Sequence, residues 1–94
     1  MLVLITYDVA TSDTGGPKRL RRVARACQDF GQRVQKSLFE CQVGLKEWAE
    51  LRGRLLDEMK ATKDSVRFYF LDADTVIEHH GTNEPLDLDG PLVI

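Results

Sequence analysis

The run Leu2-Val3-Leu4-Ile5-Thr6-Tyr7-Asp8-Val9 is apolar, has β-branched members and lacks the polar alternation of a half-wet strand; an acid stands near its end. Such a run wants cover on both faces and so belongs in the middle of a sheet. With 94 residues, the chain is one domain, 1–94, whose single core leaves much surface wet. A second copy of the chain would relieve that shortage.

The rest of the chain supplies the cover. Thr11 to Gly16 is loop chemistry, and Pro17 stands where a helix can begin without losing a hydrogen bond. Leu20, Val23, Ala24, Cys27 and Phe30 then follow helical spacing up to Gly31, which predicts a helix over 17–30. Residues 33–43 read as extended, either one strand or two joined near Lys36-Ser37, with Val34 and Leu38 on one face and Phe39, Cys41 and Val43 on the other. Leu45, Trp48, Leu51, Leu55 and Met59 line a second amphipathic helix. Ser65 to Leu71 alternates as a strand, and Thr75 to Ile77 reads as a weaker one. The tail, 82–94, ends Leu92-Val93-Ile94, an apolar end expected to add a strand to a sheet edge, the partner subunit's included.

This order gives an α+β class: a ferredoxin-like βαββαβ sandwich with an extra C-terminal strand. Helices on one sheet face leave Phe39, Leu71 and alternate residues of the first strand in need of another cover. A homodimer related by a twofold axis supplies it.

Charge points to a partner. The chain holds 13 bases and 15 acids, net −2. Yet residues 18–36 carry Lys18, Arg19, Arg21, Arg22, Arg25, Arg33 and Lys36 against Asp29 alone, a local +6. One basic surface on an acidic protein suits a polyanion such as DNA or RNA, and Lys18, Arg19, Arg21, Arg22 and Arg25 are the candidate phosphate contacts. A solvated helix face is the plainer alternative. The N-terminal run is too short for a membrane span and lacks the basic leader of a signal peptide. Cys27 and Cys41 fit buried small residues in a reducing compartment, so a cytoplasmic protein is expected, with no membrane partner.

Four stretches together, Tyr7-Asp8-Val9, Arg19-Leu20-Arg21-Arg22-Val23, Gly31 and Arg33-Val34-Gln35-Lys36-Ser37-Leu38-Phe39-Glu40, resemble the CRISPR-associated protein 2 family over most of the chain. The resemblance implies a symmetric dimer in which two copies of Asp8 face each other and share one divalent cation, magnesium or manganese. It implies metal-dependent endonuclease activity on RNA or DNA by a metal-activated water, with Tyr7, Arg33, Ser37 and Phe39 at family positions near the site. It also implies a role in acquiring new spacers beside the CRISPR integrase, CRISPR-associated protein 1, whose dimers the family bridges while holding duplex DNA. A non-catalytic duplex-binding scaffold is the alternative it carries.

Other chemistry is weaker. By residue type alone Asp8 reads first as a turn residue capping the loop after a strand, an order the family resemblance reverses, while Tyr7 and Phe39 are equally core aromatics and Arg33 equally a partner for an acid. Asp13 is a second carboxylate nearby or a solvated loop residue. Gly15-Gly16-Pro17-Lys18 lacks the spacing of a nucleotide phosphate loop. His79 and His80, adjacent on extended chain, would point to opposite sides and fail to clasp one ion.

Overall fold

The computed structural model describes residues 1–82. In chain order it contains β1 (Leu2–Asp8), α1 (Gly16–Phe30), β2 (Gln32–Gln35), β3 (Leu38–Gln42), α2 (Leu45–Glu58) and β4 (Ser65–Leu71). The strands form one antiparallel sheet in the order β2-β3-β1-β4. The apolar run therefore lies in the interior, laddered to β3 on one side and β4 on the other. This is the ferredoxin-like arrangement, and the extended stretch resolves into two strands turning at Lys36-Ser37.

Side chains alternate across a strand, and β1 shows the consequence. Val3, Ile5, Tyr7 and Val9 point into a core shared with Val23, Ala24 and Cys27 of α1 and Leu51 and Leu55 of α2. Both helices thus cover one sheet face. Leu2, Leu4, Thr6 and Asp8 point the other way, beside Leu38 and Glu40 of β3 and Ser65, Arg67, Tyr69 and Leu71 of β4. No described helix or strand covers that second face, where residues 77–82 run beside Leu38 and Glu40 around an open cavity.

Phe39 was expected on the second face, but it is fully buried in the helix-covered core, opposite Ile5 in the ladder. The correction follows from register: Ile5 and Phe39 are direct cross-strand neighbours and must share a side. Leu45, expected on the buried stripe of α2, is 78% exposed because it opens the helix before the axis reaches the sheet. Trp48 is the first α2 residue to pack, its ring edge-on to Phe68 at 4.8 Å and Phe70 at 5.3 Å. Glu47 secures the same end by accepting a hydrogen bond from Gly44 N at 3.1 Å, one half of a capping box.

Gly31 ends α1 with an extended φ of −160°. What demands glycine is proximity: a Cβ there would lie 2.3 Å from Cys41 Sγ and 2.4 Å from Glu40 O. The helix end is pressed directly onto β3. After β4, the expected strand at Thr75–Ile77 is absent; residues 72–82 carry turns and irregular backbone, and Val76 is 88% exposed. The remainder of the expected tail strand lies outside the described residues.

Candidate metal and nucleic-acid site

Asp8 is the last residue of β1 and is exposed. Its ladder partner is Ser65, and Thr6 and Arg67 form the next pair on that face. Asp8 thus stands at the corner of the uncovered face, among two hydroxyl residues and a cation.

Tyr7, one residue earlier, points to the other side of the sheet. It is buried, its ring stacked on Phe39 at 6.2 Å, and the Arg33 guanidinium lies 5.0 Å from the Phe39 centroid. Arg33 Nη2 donates a long 3.5 Å hydrogen bond to Tyr7 Oη, while Arg33 Nε is buried with no partner among the described residues. Burial pushes the Tyr7 phenol above its ordinary range despite the opposing effect of Arg33. Ser37, half-buried in the β2–β3 turn, accepts a hydrogen bond from Tyr7 N through its carbonyl at 3.3 Å.

The residues expected near Asp8 therefore split. Ser37 braces the end of β1 through its backbone. Tyr7, Arg33 and Phe39 form a packed cluster beneath the sheet, on the side opposite Asp8, and the fully buried Phe39 touches no substrate from that position. Period-two geometry imposes the separation, since adjacent residues 7 and 8 cannot share a face.

The basic residues of α1 split as well. Lys18, Arg21, Arg22 and Arg25 are exposed and fall at i, i+3, i+4 and i+7, one stripe on the side of the helix away from the core. Arg22 lies 3.8 Å from Glu58 and Arg25 3.5 Å from Asp29, whereas Lys18 and Arg21 have no ion pair among the described residues.

Arg19 is the correction. It is only 7% exposed and is turned inward against two acids. Nε meets Asp64 Oδ2 at 2.9 Å and Nη1 meets Asp13 Oδ2 at 3.0 Å, while Nη2 donates to Asp64 Oδ1, Asp13 Oδ1 and Ala10 O, each at 3.2 Å. A guanidinium buried and turned onto two carboxylates in this way is not presented to a phosphate. Asp13 is likewise spent, holding Arg19 and Lys63, and those hydrogen bonds keep its carboxyl well below the usual range.

Asp64, in the turn between α2 and β4 and not singled out by any motif, is the hub. Its side chain has no exposure, and it accepts Ala10 N at 3.1 Å and Lys60 N at 2.8 Å besides Arg19. The Arg19 hydrogen bond is the chief cause that draws its carboxyl from 3.8 to about 2. Nothing local in the sequence marks it, because its main partner is 45 residues away.

With Asp13 and Asp64 committed, Asp8 is the carboxylate one chain presents at this corner, Glu40 lying further along the face opposite Leu4. No cluster of three His, Cys, Asp or Glu residues suited to a metal occurs among the described residues. His79 and His80 are exposed, His80 pairing with Glu78 at 2.5 Å. A hard divalent cation needs several oxygens, so Asp8 fits one only where a second copy brings its own carboxylate.

An open-faced ferredoxin-like sandwich with a strand-end aspartate and a basic helix stripe defines the class of protein. The family model for CRISPR associated protein Cas2 matches residues 1–77. The CRISPR-associated endoribonuclease Cas2 of Nitratidesulfovibrio vulgaris is 54% identical, the match covering 100% of this chain and 94% of that protein. The CRISPR-associated endonuclease Cas2 of Halalkalibacterium halodurans is 50% identical, over 99% of each chain. A crystal structure of Streptococcus pyogenes Cas2 superposes with a TM-score of 0.72 at 49% identity, covering 79% of this chain and 89% of that one. The chain belongs to the Cas2 family. No described helix is long and apolar enough to cross a membrane.

Proposed function

We propose that two copies of this chain pack uncovered sheet face to uncovered sheet face, and that the dimer is a metal-dependent endonuclease of CRISPR adaptation, working beside the CRISPR integrase in the acquisition of new spacers. One observation carries the reading: Asp8 is exposed at the corner of a sheet face that carries Leu4, Leu38 and Leu71 and that no described helix or strand covers. A twofold copy seated there would bury those leucines and set two Asp8 carboxylates toward each other. The relatives' names supply the reaction class, endoribonuclease for some and endonuclease for another.

In this reading the paired Asp8 side chains hold one magnesium or manganese ion. Such an ion, when bound, supplies charge to neutralise a phosphate oxygen and makes a water more acidic. The chain's own residues do the rest. Asp8 fixes where the ion sits, and Arg67, next along the same face, offers positive charge to the scissile phosphodiester. Lys18, Arg21, Arg22 and Arg25, on the helix side, would hold backbone of the same nucleic acid beyond the segment at Asp8, without reading sequence.

The test is cleavage of labelled single-stranded RNA and duplex DNA by wild type and Asp8→Asn, in magnesium, in manganese and in chelator. Cleavage that needs metal and disappears with Asp8 supports the reading. Equal cleavage by both proteins, or none by either, rejects it.

A second reading, the non-catalytic duplex-DNA scaffold that bridges integrase dimers, is favoured by a separate observation. The cationic stripe of α1 lies on the outer side of the helix layer, and the Asp8 side chain lies on the far side of the sheet. Duplex seated on that stripe is held away from Asp8, as a scaffold requires and a nuclease does not. Charge reversal at Lys18 and Arg21 would then abolish spacer acquisition while Asp8→Asn leaves it intact.

A further inference from the structure

The chain leaves β1 at Asp8 and turns through Val9 and Ala10, and both peptide groups of Ala10 are gripped. Its N–H donates to Asp64 Oδ1 at 3.1 Å, and its carbonyl accepts Arg19 Nη2 at 3.2 Å. The two gripping side chains are bonded to each other twice, at 2.9 and 3.2 Å, and both are buried. Each comes from a different element: Arg19 from α1, and Asp64 from the turn before β4, adjacent to the Ser65 that faces Asp8 in the ladder.

The surroundings leave this clamp little play. Asp64 Oδ2 also accepts Lys60 N, anchoring it to the end of α2, and Val9 between clamp and strand is in the core. Gly16 lies so close beneath Ala10 that a Cβ there would come 2.3 Å from the Ala10 carbonyl oxygen. Asp8 is thus held by the β4 ladder on one side and, two residues on, by a buried ion pair.

We propose that Arg19 and Asp64 are positioning residues for Asp8: they fix the backbone from which its carboxylate is presented, so that two copies meet an ion in one geometry. The inference rests on the Asp8 metal reading above and gives the arginine a duty unrelated to nucleic acid. A side chain that orients a ligand from behind typically changes metal affinity by about tenfold or more when altered.

The experiment is manganese binding to the full chain, by calorimetry and by the electron paramagnetic resonance of the bound ion, for wild type, Asp8→Asn, Asp64→Asn, Arg19→Lys and the core variant Val43→Ala. Val43 is buried beside Met1, at the opposite end of β1 from Asp8, and its variant serves as the control for loss of stability alone. The expected result is that Asp64→Asn and Arg19→Lys weaken manganese binding about tenfold and broaden the resonance, whereas Val43→Ala, which also lowers Tm, leaves both unchanged. Hydrogen exchange at the Ala10 amide reads the same device without metal: slow in wild type and Val43→Ala, fast in Asp64→Asn.

Wild type that binds manganese with an affinity matched by Asp64→Asn and Arg19→Lys overturns the positioning role and leaves the metal reading standing. Val43→Ala weakening binding as much as the clamp variants overturns it too, since general loosening would then suffice. Wild type without binding that depends on Asp8 overturns the metal reading and this inference together.

Discussion

At the scale of single residues, two positions are tied most tightly to the fold. Asp64 is a buried carboxylate with an arginine and two backbone N–H groups on it, and removing one member of such a buried pair costs about 3 kcal/mol. Asp64→Ala is therefore expected to lower the unfolding free energy obtained from denaturant titration by that amount. Its acid behaviour has a definite sign. The carboxyl sits at about 2 in the fold against an ordinary 3.8, so its contribution is complete above about pH 4 and fades as pH falls toward 2. Acid unfolding followed by circular dichroism should be steeper there for wild type than for Asp64→Ala. At Gly31 the constraint is space. Gly31→Ala pushes a methyl into Cys41 Sγ and the Glu40 carbonyl, at a cost of about 2 kcal/mol. Trimming the thiol in the double variant Gly31→Ala/Cys41→Ala should restore only part of the Tm, because the carbonyl clash remains.

At the scale of elements, the sequence was legible wherever one period governed a stretch. Ser65–Leu71 alternates and is a strand over those residues; the helical spacing over 17–30 is α1 at Gly16–Phe30; the apolar run is the interior strand β1. Reading failed where a residue's role depends on something distant. Arg19 carries the same charge as Arg21 and Arg22, but it sits at the border of the buried stripe, where only the fold brings Asp64 to meet it. The face of Phe39 depended on the register between β1 and β3, which no local pattern contains. Tyr7 beside Asp8 in sequence looked like one site, and strand geometry makes it two. Thr75–Ile77 has β-branched residues but pairs with none of the described strands, and composition alone does not pair it. The α1 stripe leads to a measurable expectation at this scale: if Lys18 and Arg21 each contact a phosphate, Lys18→Glu/Arg21→Glu lowers the slope of log affinity against log salt for duplex DNA by about 2. Fluorescence anisotropy at several salt concentrations measures it, and an unchanged slope would place the nucleic acid elsewhere.

At the scale of the whole molecule, the uncovered sheet face makes a quantitative claim on association. A face with Leu4, Leu38 and Leu71 half or more buried in the lone chain should be closed by a second copy in solution. Sedimentation velocity is expected to give a species of about twice 10.7 kDa, following the twofold association argued for the small core. Leu38→Arg, which brings a charge onto that face, should sediment as a monomer and lose the metal-dependent cleavage with its dimer. A monomeric wild type would refute the shared site.

The position of β1 has one more consequence. Because it is laddered on both sides and sealed by both helices from one face, the strand that ends in Asp8 belongs to the part of the fold that opens last. A partly melted form in which the body survives and this carboxylate has wandered off is not expected. Manganese binding and ellipticity should therefore disappear at the same denaturant concentration. Among the described residues Asp8 rides on the sheet and on no hinged loop, so control over it would fall to supplying or withholding the second copy and the nucleic acid.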